Sequence, residues 1–253
     1  MEAKSIEYIE HITENKKNML KQTPLDYFLR ASFAGALLAF VFVMCIKFAQ
    51  PFHAAGSEAT YFVYSLFFGI ALILVIFGNA ELFTSNTMYF TISTMRKKTT
   101  IGDTLKIWTA CYIGNFIGAI LFAVIFYYAG IFANIPDNHF LHSVVNGKLS
   151  ADTIQLFFRA ILCNWIVCLA CFLPTRMQSE SAKIITIFLT VLVFFSSGYE
   201  HSVANMGLFS IAFFTYGLDV TSTLHNLVPV TLGNIVGGMV FVGMFYGYLN
   251  RKK

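Results

Sequence analysis

A helix needs about 20 apolar residues to cross a hydrocarbon layer about 30 Å thick, and six runs in this chain reach that length. They lie near 28–49, 60–94, 105–130, 152–174, 182–216 and 226–249. The second and fifth are too long for one span, and each is interrupted by a polar stretch, Gly78 to Asn86 in one and Ser196 to Asn205 in the other. Both are predicted to be broken helices. The first 27 residues are polar and mixed in charge, with Ile6, Ile9 and Ile12 at helical spacing ahead of Lys16, Lys17 and Lys21. That pattern predicts an amphipathic helix lying against the bundle or the headgroups rather than a cleavable signal peptide. The chain thus divides into an N-terminal segment, 1–27, and a six-helix membrane domain, 28–253.

The interruptions are copies of each other. Glu81-Leu-Phe-Thr-Ser-Asn86 is echoed by Glu200-His-Ser-Val-Ala-Asn205, and Gly114-Asn115-Phe-Ile-Gly118 by Gly233-Asn234-Ile-Val-Gly237, every matched pair 119 residues apart. Two units of three spans are predicted. Polar breaks at matching places in two membrane repeats point to a translocation site. The paired G-x-x-x-G motifs predict close helix packing, and Asn115 and Asn234 are expected to bond between helices, since an unpaired amide in hydrocarbon is costly.

Composition agrees with this reading: 57% of residues are hydrophobic and 12% charged, with a mean hydropathy of +0.68, outside the usual soluble range. The basic residues fix an orientation. Lys4, Lys16, Lys17, Lys21 and Arg30, then Arg96, Lys97, Lys98 and Lys106, then Arg176 and Lys183, and finally Arg251, Lys252 and Lys253 mark one side as cytoplasmic. The opposite connections carry Lys148, with Lys47 at the end of the first span. Both termini are therefore expected in the cytoplasm. With three spans per unit, the second copy enters from the other side, giving a 3+3 inverted repeat. Cys45, Cys111, Cys163, Cys168 and Cys171 lie in apolar runs, where a thiol is a small hydrophobe; no disulfide framework, metal site or cofactor is expected. Nothing resembles a nucleic-acid groove.

A broken helix in lipid persists where it lines a cavity or where side chains satisfy its backbone. Half-helix N-termini favour an anion. Glu81 and Glu200 are read as carboxylates capping the N–H groups of their own loops, with Asn86 and Asn205 as further loop-building residues, in preference to a proton relay. His201 lies in the second break with Leu82 as its symmetry mate, and is read as facing the pore, where imidazole can bond an anion or hand it a proton. Thr84 in the facing break can donate to the same ligand. Leu82, Phe68, Leu72 and Phe194 lie in or beside the breaks as a candidate apolar constriction, which opposes a bare ion while passing its neutral conjugate acid. Lys148 is a candidate anion attractor at the outer mouth. Arg159 can snorkel or pair with a carboxylate. An intramembrane enzyme is disfavoured, for there is no His-Glu-x-x-His and no nucleophile-elbow serine. A proton-coupled secondary transporter of formate or nitrite is the alternative to a channel.

At these residues the chain resembles the formate/nitrite transporter family. The matching stretches are Gly78-Asn-Ala-Glu-Leu-Phe-Thr84, Asn164-Trp-Ile-Val-Cys-Leu-Ala170, Ser197-Gly-Tyr-Glu-His-Ser-Val-Ala-Asn-Met206 and Asn226-Leu-Val-Pro-Val-Thr-Leu-Gly-Asn-Ile-Val-Gly-Gly238. The resemblance implies an all-α integral membrane protein with an aquaporin-like protomer, a homopentamer with one pore per protomer in the bacterial cytoplasmic membrane, and passage of small monovalent anions. It also implies that His201 is the central pore histidine, Thr84 its partner, Asn164 the asparagine that orients it, and Lys148 the vestibule lysine. Leu82, Phe194, Phe68 and Leu72 fall at the family's constriction positions. Glu81 and Tyr199 set the chain apart from some formate-type members. In overall likeness it is most similar to the hydrosulfide-channel branch, with formate and nitrite as alternative substrates.

Overall fold

A computed structural model describes residues 2–251, and within them every regular element is helical. The α-helices are α1 Glu2–Gln22, α2 Pro24–Ala54, α3 Thr60–Leu66, α4 Gly69–Phe77, α5 Phe83–Met95, α6 Ile101–Tyr128, α7 Phe140–Leu149, α8 Thr153–Phe172, α9 Glu180–Ser196, α10 Ser202–Tyr216, α11 Val220–Gly238 and α12 Phe245–Leu249. A 3₁₀ turn, Leu173–Arg176, extends α8, and a π-helical stretch, Met239–Met244, joins α11 to α12. Lys252 and Lys253, two of the basic residues assigned above to the cytoplasmic side, lie outside the described residues.

Five helical stretches among the described residues are long and apolar enough to cross a membrane: Pro24–Ala54, Thr60–Phe77, Ile101–Tyr128, Thr153–Arg176 and Val220–Leu249. The other predicted run, the fifth along the chain, is two half-helices, α9 of 17 residues and α10 of 15. Both expected breaks are present, but they are narrower than the polar stretches suggested, 78–82 and 197–201. Thr84 to Asn86 and Ser202 to Asn205 already wind into the first turns of α5 and α10. Two span starts also move, because caps set them. The Thr100 hydroxyl and Asp103 carboxylate form a reciprocal capping box that begins α6 at Ile101, and Asp219 accepts the Ser222 N–H at 2.7 Å to begin α11 at Val220.

The two breaks begin with the same backbone bonds. α4 ends through Gly78 N–H to Leu74, Asn79 to Ile76 and Ala80 to Val75; 119 residues on, α9 ends through Ser197 to Val193, Gly198 to Phe195 and Tyr199 to Phe194. Asn79 (φ 51°) and Gly198 (φ 69°) take the same left-handed conformation, which asparagine and glycine tolerate best. Residues 81–93 and 200–212 are then continuously buried, so α5 and α10 run inside the bundle. Gly118 packs on α2 and Gly237 on α8 so closely that a Cβ would lie 1.7 Å from the Ser32 carbonyl oxygen and 2.4 Å from that of Ile161. Arg30 and Arg159, which accept the Glu81 and Glu200 N–H groups, are 129 apart, whereas the later spans are 119 apart. The connection between the first and second spans is therefore ten residues shorter in the second copy.

Helix α1 lies against the bundle. Ser5, Ile6, Ile9 and Thr13 are fully covered, and Glu10 meets the Arg96 guanidinium at 2.6 Å.

Candidate functional site

Each break is pinned by one asparagine of the following span. Asn115 donates to the Ala31 and Glu81 carbonyls at 2.8 and 2.7 Å and accepts the Phe83 N–H at 3.0 Å. Asn234 repeats the pattern on the Ala160 and Glu200 carbonyls at 2.8 and 2.9 Å and the Ser202 N–H at 2.8 Å. Both side chains are fully buried. One amide thus satisfies groups that helix ends leave open, each of which would cost several kcal/mol unpaired in hydrocarbon.

The carboxylates do not cap their own loops as the sequence suggested, because Asn115 and Asn234 already take that role. Glu81 instead meets the Lys16 ammonium at 2.8 Å and the Asn86 amide N–H at 3.2 Å, while Lys16 also donates to the Asn86 side-chain oxygen Oδ1 at 2.8 Å. Glu200 meets Lys148 at 2.9 and 3.0 Å and the Asn205 amide at 2.6 Å. Asn205 donates further to Asn226, whose amide bonds the Lys148 carbonyl at 2.9 Å. Each lysine rides on the helix preceding the first span of its own copy, α1 before α2 and α7 before α8. Lys148 is therefore a helical, ion-paired residue rather than a solvated loop lysine. Arg159 bonds Gln155 at 3.2 Å and gives its backbone carbonyl to Glu200 N–H; among the described residues it pairs with no carboxylate.

Between the breaks lies a void of about 10 Å³, lined by Leu82, Phe68, Leu72, Phe194 and His201, with Leu38, Ala71, Val167 and Val191 completing the wall. It has room for roughly one water. His201 is the N-cap of α10: its Nδ1 accepts the Ala204 N–H at 3.1 Å. A backbone N–H only donates, so the neutral ring carries its proton on Nε2, which lies 2.9 Å from the Thr84 hydroxyl. Nε2–H donates to Thr84 Oγ1, leaving the hydroxyl hydrogen to be given elsewhere. At the equivalent position Leu82 offers α5 no side-chain cap, and the Phe83 N–H is taken by Asn115 instead. Phe194 stacks near His201 at 6.1 Å, and Phe68 lies edge-on to Phe194 at 6.2 Å.

Sequence reasoning thus named His201, Leu82, Phe68, Leu72 and Phe194 around the void but not Leu38, Ala71, Val167 or Val191, and Thr84 joins this group through its bond to His201. Asn164 is differently placed. Its amide donates to the Thr84 carbonyl at 3.2 Å, the Thr87 hydroxyl at 2.9 Å and the Asn234 carbonyl at 2.6 Å, so it holds the Thr84 backbone and meets His201 only through Thr84. Lys16 and Asn226 were missed. Lys16 had a signal: it stands seven residues after Ile9, on the buried face of α1. Leu72 also lines a second cavity of about 290 Å³ with Lys16, Glu81, Tyr89 and Cys171, roofed by Tyr8 of α1.

A family model described as formate/nitrite transporter matches residues 6–248. The uncharacterized transporter YwcJ of Bacillus subtilis is 38% identical over 253 residues, covering 99% of each chain. Among solved structures, an FNT family ion channel superposes with a TM-score of 0.91 at 32% identity, covering 98% of this chain and 99% of the other. A pentameric formate channel with formate bound gives 0.79 at 30% identity, covering 92% and 99%.

Proposed function

The chain belongs to the formate/nitrite transporter family, a multi-pass membrane channel for small anions, and we propose that it conducts monovalent weak-acid anions, hydrosulfide foremost, across the cytoplasmic membrane. The observation that carries this reading is the void: one water in size and apolar on every side but that of His201. Dehydrating a bare anion there is costly. A weak acid avoids the cost by crossing as its neutral form. Of the candidate substrates, hydrosulfide presents one heavy atom to so small a space, and its conjugate acid makes weak hydrogen bonds, so it loses least on leaving water. Formate and nitrite have two oxygens to satisfy.

In the proposed mechanism the anion accepts the hydroxyl hydrogen of Thr84. His201 backs that donor through Nε2–H and so strengthens its hydrogen bond to the anion, which takes its proton from vestibule water and meets Leu82, Phe68, Leu72 and Phe194 as the neutral acid. Asn164 fixes Thr84 from behind, and Lys16 and Lys148 hold the break carboxylates neutralised. Assembly as a homopentamer rests on likeness to the solved pentamer, and the inverted 3+3 arrangement with cytoplasmic termini on the charge pattern and the doubled hydrogen bonds. In this reading residues 1–27 form the segment that roofs the cytoplasmic cavity.

The test is flux into proteoliposomes for hydrosulfide, formate, nitrite and chloride, with wild type beside His201→Asn. Hydrosulfide is expected to be fastest and chloride slowest. Comparing the two proteins cancels the substrate's own acid equilibrium. A folded, correctly assembled His201→Asn protein with wild-type flux, selectivity and pH profile would be fatal to the mechanism; formate or nitrite outrunning hydrosulfide would overturn the substrate choice alone. The void is closed to continuous water, so proton-coupled uptake is the second reading, and it requires accumulation above the equilibrium set by the pH gradient.

A further inference from the structure

Away from the pore, a cavity of about 410 Å³ opens between the end of α1 and the start of α6. Lys17, Lys21 and Lys106 line it, with Asp103 beside them and Leu20 and Ile107 at its base. Asp103 is occupied in the capping box, accepting the Thr100 N–H at 3.0 Å. None of the three lysines makes an ion pair within 4.0 Å among the described residues. Three ammonium groups around one carboxylate repel each other and leave the cavity with a net positive charge.

The second copy places a different side chain at this position. The counterpart of Lys106, 119 residues on, is His225, whose Nε2 lies 2.9 Å from the Thr153 hydroxyl at the start of α8. There an imidazole and a hydroxyl bond directly. In the first copy cations stand instead, and an anion between them removes the repulsion. The cavity lies at the end of the spanning helix α6, where Ile101 and Leu105 are exposed, so apolar surface for acyl chains adjoins the basic pocket.

We propose that this cavity binds the phosphate headgroup of an anionic phospholipid, fastening α1 to the spanning bundle. Lysines near a membrane surface strengthen binding of anionic lipid by roughly fivefold each, so replacing all three by glutamine should weaken it on the order of 100-fold. The assembled protein in neutral detergent would be titrated with phosphatidylglycerol, phosphatidylcholine and inorganic phosphate, reading retained lipid by native mass spectrometry and the thermal midpoint. Wild type is expected to retain and be stabilised by phosphatidylglycerol over phosphatidylcholine, and the Lys17→Gln/Lys21→Gln/Lys106→Gln protein to lose that preference while keeping wild-type anion flux. Should the triple variant fail to fold, Lys106→Gln alone should weaken phosphatidylglycerol binding roughly fivefold. Equal retention of the two lipids, or an undiminished preference in the variants, would overturn the proposal. Stabilisation by inorganic phosphate alone would assign the site to free phosphate instead, and a changed number of subunits in a folded variant would make this face a contact between copies.

Discussion

Replacing Lys148 by methionine tests the outer ion pair. The substitution keeps most of the apolar stem and removes the ammonium, leaving the Glu200 carboxylate, whose side chain is 4% exposed, with the Asn205 amide at 2.6 Å as its remaining strong donor. Removing one partner of a fully buried pair costs about 3–5 kcal/mol. Lys148 is 17% exposed, so water replaces part of what is lost, and about 2–3 kcal/mol is expected. For a chain of this size that is a fall in thermal midpoint of roughly 5–10 °C. The double variant Lys148→Met/Glu200→Gln should recover most of the loss, because an amide can bond Asn205 without a buried charge. Flux through the single variant should fall several-fold at low ionic strength, since the Glu200 carboxylate left bare repels anions, and the deficit should shrink with salt, whereas the double variant, which removes both charges of a neutral pair, should keep wild-type flux. The measurements are thermal unfolding followed by tryptophan fluorescence and proteoliposome flux at two ionic strengths. Single and double variants of equal stability would refute the pairing, and wild-type flux in the single variant at low salt would refute the neutralising role of Lys148.

Leu82→Val widens the apolar barrier beside the void, so flux should rise or selectivity relax; a folded variant with wild-type flux and selectivity would place Leu82 outside the path. Gly118→Leu puts side-chain atoms where the Ser32 carbonyl oxygen already lies 1.7 Å from an ideal Cβ, and is expected to abolish stable assembly on size-exclusion chromatography, whereas Gly147→Ala, with open space at its Cβ, should be silent. His139, in the connection before α7, accepts the Leu141 N–H through Nδ1 at 3.2 Å and is held neutral by burial, with His142 and His53 nearby, so its pKa lies below the usual 6.5. The unfolded connection takes up a proton that the folded one refuses, so α7 loses stability as pH falls below about 6.5. Hydrogen exchange over 140–149 should quicken on acidification in wild type and do so less in His139→Asn, which caps without titrating; an identical pH dependence in both would assign it to another group.

Much of this was legible because lipid forces polar residues to have reasons. The breaks showed as polar stretches in otherwise apolar runs, and Glu81 to Asn86 matched Glu200 to Asn205 because both copies must satisfy the same backbone. The first spans did not show the repeat. Their correspondence is 129 rather than 119 residues, and what α2 and α8 contribute at Arg30 and Arg159 is mainly a backbone carbonyl, which any side chain supplies. Lys16 was hidden differently: its partner is 65 residues away, and a lysine near the end of an amphipathic helix reads as solvated. Asn164 was placed against His201 by resemblance; the structure sets it one residue removed, on the Thr84 carbonyl, which periodicity cannot distinguish.

The paired lysines also explain how acidic breaks can serve an anion. Two bare carboxylates at the pore centre would repel any anionic substrate by several kcal/mol at the effective dielectric of a protein interior. Each is instead matched by an ammonium at 2.8–2.9 Å and an asparagine five residues on, so the breaks carry no net charge toward the void. The polar side chain lining the void is His201, which bonds the Thr84 hydroxyl through Nε2. The carboxylates are then required by the lysines as much as the reverse, for a lysine buried alone would trap an anion rather than pass it. Conduction needs attraction strong enough to bring the anion in and weak enough to let it leave, and a neutral donor pair between two neutralised carboxylates meets both conditions.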